Sequence, residues 1–313
     1  MRRRFPSIAL ALLAAAGSAS AGERETRVLA ALPPLAAIVS ALAEGTAVET
    51  VGLPGRPASI GTLERQLARS DPARTQLLSS VDAVVTIESL WPQDPLFAAA
   101  RAENIWVVNI DAAQPYGREG GVGLIAEPAS HPAWREGSAG ATEEPSPYAW
   151  MSPANGIRMA EIIAADLKRM APAEAEKIEE NLRGFREEIR NLKAEYEARF
   201  AALEDFTVYA LTDQFVYLTN ELGLFVDGYF LEQDLRWTEA DHAGFRDHLE
   251  RHGLGVVIHQ WEPAEPIVNA AKAAGAEIVV LDAGGLLRGV AVPNGYAALL
   301  RHNLELLYRA LAK

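Results

Sequence analysis

The chain has 313 residues, 49% of them hydrophobic, with 42 acidic against 29 basic side chains and a formal charge of −13. An acidic chain repels a phosphate backbone, so no nucleic acid is expected as a partner. The absence of cysteine excludes disulfides, a thiol nucleophile and a lipid-bearing cysteine.

Residues 1–21 read as a secretory signal peptide. Arg2, Arg3 and Arg4 precede an apolar run from Ile8 to Ala16, and Ala19-Ser20-Ala21 supplies a small-x-small cleavage site. That run is shorter than the roughly 20 apolar residues a membrane helix needs, and no later stretch approaches it. Cleavage after Ala21 is expected to leave a soluble periplasmic protein, more acidic once the three arginines are gone.

The rest is long enough for two domains. Short β-rich runs at Arg27 to Leu32, Ala47 to Leu53, Ala83 to Ile87 and Ile105 to Ile110 alternate with helical stretches, which predicts a parallel α/β lobe over 22–171. Within it, 112–147 is rich in Gly, Pro, Ser and Glu without periodicity and reads as a long surface loop. Ser152-Pro153 then pairs a capping hydroxyl with proline at the first helical position, opening a helix to about Met170.

After Pro172, apolar residues recur at Ile178, Leu182, Phe185, Ile189, Leu192, Tyr196, Phe200 and Leu203, spaced by three and four with charge between them. One long amphipathic helix over 172–204 is predicted, stiff enough to link two lobes. A second α/β series occupies 205–313, with strands near Thr207 to Leu211, Leu224 to Phe230, Val256 to His259 and Ile278 to Leu281, a helix from about Thr238, and a closing helix from Tyr296 to Leu311. The fold class is therefore α/β: two parallel-sheet lobes joined by one long rigid helix, with a ligand cleft between them where strand ends face each other.

No G-x-S-x-G elbow, P-loop, G-x-G-x-x-G or H-E-x-x-H pattern is present, so catalysis is not expected. His248 and His252 are four apart on the helix from Thr238, a spacing that can chelate a metal. Phe245 and Leu249 are expected to supply its buried stripe and leave both histidines solvated. Trp91 and Gln260-Trp261, near strand ends, suggest either an aromatic-lined cleft or packing between lobes.

The segment Ser146-Pro147-Tyr148-Ala149-Trp150-Met151-Ser152-Pro153-Ala154-Asn155 resembles the D-P-H-x-W-x-S-P-x-N turn into a helix found in periplasmic receptors for zinc, manganese and iron ions that feed ABC importers. Phe215-x-Tyr217 with Glu221-Leu222-Gly223-Leu224, Glu262-Pro263, Leu281-Asp282 and Asn294-Gly295-Tyr296 to Asn303 extend the resemblance over nearly all of the chain after residue 21. It implies a monomeric solute-binding protein that carries a transition-metal ion, or its complex, to a permease of the inner membrane. A metal-free role on the same fold, with an organic ligand or a partner protein, is the alternative.

The family's histidine ligands fall on Ala58, Tyr148 and Thr212, while its acidic ligand falls on Asp282. The implied ligand set is Asp282, Tyr148, Asp213, His259 and Glu262: four oxygen donors and one nitrogen, which leans toward manganese or iron rather than zinc. Each has a plainer reading. Tyr148 can pack at the lobe boundary, Asp213 can cap the next helix, His259 can be a hydrogen-bonded core residue, and Glu262 can favour a helix N-terminus. His131, in the long loop, is the one histidine where the family often keeps a histidine-rich segment.

Overall fold

The computed structural model describes residues 25–115, 121–130, 132–135, 144–284 and 295–313. The signal peptide, His131 and Asn294 lie outside the described residues.

The first lobe is built from β1 (Thr26–Ala30), α1 (Pro33–Ala43), β2 (Val48–Val51), α2 (Ile60–Ala68), α3 (Pro72–Ser80), β3 (Ala83–Thr86), α4 (Leu96–Glu103) and β4 (Val108–Asp111). After a long connection come α5 (Pro153–Met170) and α6 (Ala175–Phe200). The second lobe follows as β5 (Thr207–Ala210), α7 (Val216–Glu221), β6 (Phe225–Tyr229), α8 (Glu239–His252), β7 (Val256–His259), α9 (Glu265–Ala273), β8 (Glu277–Val280) and α10 (Tyr296–Leu311). The expected α/β class and the two parallel sheets are present.

Both sheets share one topology, β2-β1-β3-β4 and β6-β5-β7-β8, with every pairing parallel. Strands buried on both faces read as apolar runs, and Ala83–Thr86 and Val256–His259 are buried at all four positions. In each sheet the chain moves from the first strand to one side and then crosses to the other. The order reverses between β1 and β3, and again between β5 and β7. Loops leaving the carboxyl ends of such neighbouring strands diverge and open a crevice.

One hydrophobic cluster runs through both lobes, joining Val28, Val85 and Ile110 of the first sheet to Val208, Ile258 and Leu281 of the second lobe. α6 lies along it and buries Ile178, Leu182, Phe185, Ile189, Leu192, Tyr196 and Phe200, the stripe expected from the sequence. Asn181 donates to the carbonyls of Leu42 and Glu44 at the end of α1, while Tyr196 and Arg199 donate to Glu305 of α10. The helix is shorter than predicted. Pro172–Glu174 is a 3-10 turn, because the proline ring restricts the entry, and the α-helix ends at Phe200.

The connection between β4 and α5 departs most from its expected form as a plain surface loop. Its described part is first held to α5, where Asn155 bonds both the N–H and the carbonyl of Gly123, and is then bound to the second lobe. Ile125 N–H donates to the Tyr217 hydroxyl at 3.1 Å, which donates to the Ser146 carbonyl at 3.1 Å, and Leu231 N–H donates to Ser130 Oγ. Further on, Trp134 packs edge-on against Phe230, and Arg135 pairs with Asp241 at the start of α8. α8 accepts the indole because residue 244 is glycine: a Cβ there would lie 2.3 Å from Trp134 Cγ. No helix among the described residues is long and apolar enough to cross a membrane.

Candidate functional site

The crevices of the two sheets face each other across one cleft of about 1200 Å³. The first lobe contributes Leu32 to Pro34, just beyond β1, and 58–62 with Arg65 around the start of α2. The second contributes Gln214 beyond β5, Gln233 beyond β6, Gln260, Trp261 and Glu262 beyond β7, and Asp282 to Gly284 beyond β8. Tyr148 and Trp150, in the turn ahead of α5, close the side where the lobes join. Gly284 makes that junction tight: its φ is +92°, a conformation glycine adopts without strain, and a Cβ would lie 2.2 Å from Pro34 Cγ of the opposite lobe.

Of the five predicted residues, the structure brings Tyr148, Glu262 and Asp282 to the cleft wall. Asp282 is held firmly. Its Oδ1 accepts from Gly284 N–H at 2.8 Å, while its backbone N–H and carbonyl are both bonded by the Asn303 side chain of α10. Glu262 does not serve the helix that follows, since α9 begins at Glu265 with Ala264 as its cap. Its carboxylate is left to the cleft.

Tyr148 stacks edge-on against Trp150, and its ionisation is pushed up to about 12 by burial first and then by the charge of Asp213, with a hydrogen bond from Gln214 opposing. It therefore stands in the cleft as a neutral phenol. Asp213 is not on the cleft wall and does not cap α7, whose cap position is Phe215. Burial raises its pKa above the usual carboxylate range, and it lies near enough to both Tyr148 and Tyr229 for its charge to act on them.

His259 is turned away from the cleft. It is 2% exposed, and burial, only partly offset by Asp234, lowers its pKa and keeps the ring neutral. Nδ1 accepts from Gln260 N–H at 2.7 Å, so the proton is on Nε2, which points at Asp234 Oδ1 at 3.4 Å. Asp234 also receives Trp261 Nε1–H and Ala264 N–H. His259 thus works as a brace for the loop that presents Trp261 and Glu262.

Several cleft residues escaped sequence reasoning. Gln214 and Gln233 each follow a strand, so the strand-end rule that singles out Gln260-Trp261 and the carboxylates would have found them had it been applied to every amide. Arg65 carries no such signal, and Trp150 is marked by the family motif without a role in the cleft. Trp91, singled out with Trp261, packs in the core of the first lobe.

Among the described residues, no three His, Asp or Glu side chains of the cleft bring their ligand atoms within 4.8 Å of one another. The one group that does is Asp227, His248 and His252, none of which lines the cleft. The expectation that both helical histidines are solvated is corrected here. His252 is exposed, but His248 is 5% exposed, because the Tyr209 and Trp134 rings cover it.

A family profile described as zinc-uptake complex component A, periplasmic, matches residues 28–310. No curated protein matches the chain. Among solved structures, a mutant of FpvC from Pseudomonas aeruginosa aligns at 21% identity with a TM-score of 0.73, covering 91% of this chain and 99% of that one. FpvC in complex with Mn2+ aligns at 20% identity and 0.69, covering 92% and 98%. A periplasmic metal binding protein from Candidatus Liberibacter asiaticus aligns at 18% identity and 0.69, covering 91% and 99%. At these identities the likeness is one of fold.

Proposed function

The chain belongs to the family of the periplasmic zinc-uptake complex component A, and from that premise we propose that it is the solute-binding protein of an ABC importer, taking up a transition-metal ion or its complex between its lobes and handing it to an inner-membrane permease. The observation that carries this reading is the placement of three oxygen donors, Tyr148, Glu262 and Asp282, on the wall of a cleft formed at the facing switch points of both sheets. Family and fold are those of binding proteins rather than enzymes.

Oxygen-rich donors suit manganese and iron better than zinc, because harder ions prefer carboxylate and phenol over the imidazoles that suit zinc. FpvC in its Mn2+ and Ni2+ complexes and the Liberibacter protein in its Cd-bound form share this fold. Asp213 and His259 act from outside the cleft: the charge of Asp213 helps to keep Tyr148 protonated, and His259, through Asp234, braces the loop that carries Glu262.

A second reading rests on the size and lining of the cleft. A bare ion with ligands at about 2 Å needs three or four converging donors, whereas this cleft is as wide as sites for small organic molecules and is lined by three amides, two indoles and the cationic Arg65. Those features suit a small polar organic ligand bound without metal.

Metal analysis of protein purified without chelator, followed by calorimetric titration with Mn2+, Fe2+ and Zn2+, separates the two readings. Asp282→Ala is expected to weaken capture of the ion by on the order of a hundredfold, as loss of a charged donor from a desolvated site does. Unchanged affinity removes Asp282 from the site, and no metal in the purified protein together with no cleft binding of any of the three ions favours the organic ligand.

A further inference from the structure

The second group of potential ligands has its own structural logic. Residues four apart on a helix lie on the same face, and the last turns of α8 place His248 above His252 with their rings stacked at 4.0 Å. The helix is fixed in phase by a capping box between Thr238 and Asp241 at its start. Facing the histidines is β6, the edge strand of the second sheet. Its register against β5 shifts between Val208, paired with Val226, and Tyr209, paired with Gly228. Asp227 is therefore the extra residue of a β-bulge, and a bulge is a common means of re-aiming one side chain.

The side chains meet closely. His248 Nε2 lies 2.6 Å from Asp227 Oδ2, and His252 Nδ1 lies 3.0 Å from Asp227 Oδ1. Two buried polar atoms beside them have no hydrogen-bond partner: His248 Nδ1, on a residue more than nine-tenths buried, and the Tyr209 hydroxyl, whose ring packs on His248 at 5.3 Å. Tyr209 is in turn seated by Gly228, where a Cβ would lie 2.9 Å from its ring. The bulge, the helix phase and the glycine thus bring the three side chains together under an aromatic cover, with His252 on the solvent-facing side.

We propose that Asp227, His248 and His252 form a second divalent-cation site, separate from the cleft, that takes a borderline ion such as Zn2+, Co2+ or Ni2+. Two imidazoles and one carboxylate leave one tetrahedral position for water, the ligand count of an open zinc site. The present separations are those of hydrogen bonds. Donors about 2.1 Å from a tetrahedral ion sit ~3.4 Å apart, so each pair opens by less than about 1 Å as the ion replaces the shared protons. His252, exposed at the helix end, is free to make that movement. The ion ties the edge strand to α8 on the outside of the second lobe, and the full chain then holds a cation there independently of any cargo.

The test uses the full chain with Co2+ and Zn2+ as probes, in wild type, His252→Ala, Asp227→Asn and Asp282→Ala. Cobalt is followed by its visible ligand-field bands and zinc by calorimetry. Expected is an equivalent of Zn2+ that weakens at least ~100-fold in His252→Ala and Asp227→Asn, with loss of the cobalt bands, and that persists in Asp282→Ala. His252 is exposed, so its variant folds, and its unchanged melting point without metal verifies this. Wild-type stoichiometry and affinity in His252→Ala overturn the site, as does loss of all zinc binding in Asp282→Ala. The cleft reading fails on a different result, unchanged cargo binding in Asp282→Ala.

Discussion

Tyr296, the first residue of α10, is fully enclosed, and its hydroxyl donates to the Trp150 carbonyl at 2.5 Å. Burial holds that phenol far above its ordinary ionisation range. The ring fits only because α5 offers no side chain opposite: a Cβ on Gly156 would lie 2.0 Å from the hydroxyl oxygen. Gly156→Ala improves helix propensity by up to about 1 kcal/mol but overpacks a rigid buried contact, which costs about 1–3 kcal/mol. A lower melting temperature is expected, and because Trp150 lines the cleft, the variant is also expected to bind cargo more weakly. A melting point equal to or above wild type shows that the ring can shift. At this scale the site was half legible. Strand-end position, and for Asp282 the family resemblance, pointed to Glu262 and Asp282, and both line the cleft, since chain order locates the carboxyl end of a parallel strand. It could not tell that His259 points inward while Glu262, three residues on, points into the cleft, because that choice is made by Asp234, a residue 25 positions upstream of His259.

Elements built from periodic sequence were legible almost to the residue, as with Val256–His259 and Tyr296–Leu311. The strap formed by 121–130 and 132–135 was not, because what docks it is single side chains rather than a repeating pattern. Arg135 donates to Asp241 through Nε at 2.8 Å and Nη2 at 2.9 Å, in fork geometry, while lying over the Phe230 ring. The Asp241 side chain is 4% exposed and that of Arg135 is 35% exposed. Arg135→Ala leaves a buried carboxylate with only its Thr238 bonds and a long bond from the Trp134 indole, at a cost of about 1–2 kcal/mol once solvent screening of the guanidinium is allowed for. Asp241 also gives this contact a pH dependence. Hydrogen bonds from Arg135, opposed by burial and assisted by Thr238, hold its pKa well below the usual carboxylate range. A group with a depressed folded pKa contributes fully above its unfolded pKa, about 3.9, and loses that contribution as pH falls through the folded value. The difference in melting temperature between wild type and Arg135→Ala is expected to be constant from pH 5 to 7 and to shrink below about pH 4. A difference that grows in acid contradicts this assignment.

The relation between the lobes follows from where the core runs. Two independent cores would leave the lobes free to hinge, whereas here one apolar cluster passes through both, with α6 lying along it for 26 residues, roughly 39 Å. α6 is pinned to α1 by Asn181 and to α10 by Tyr196 and Arg199, and Lys193 reaches Glu221 of α7 at 2.7 Å. Opening the lobes widely would expose part of that cluster at about 25 cal/mol per Å² of apolar surface, and would strip the strap from the second lobe as well. The lobes are therefore expected to move by small sliding rather than by hinge closure. Small-angle scattering with and without a saturating cargo ion should then show a fall in radius of gyration of less than about 1 Å. The same measurement on Arg135→Ala isolates the contribution of the strap: if α6 and the shared core set the stiffness, the variant scatters like wild type in both states. A large compaction of the wild-type protein on binding contradicts the rigid-spine account, and a large compaction seen only in the variant transfers the stiffness from α6 to the strap.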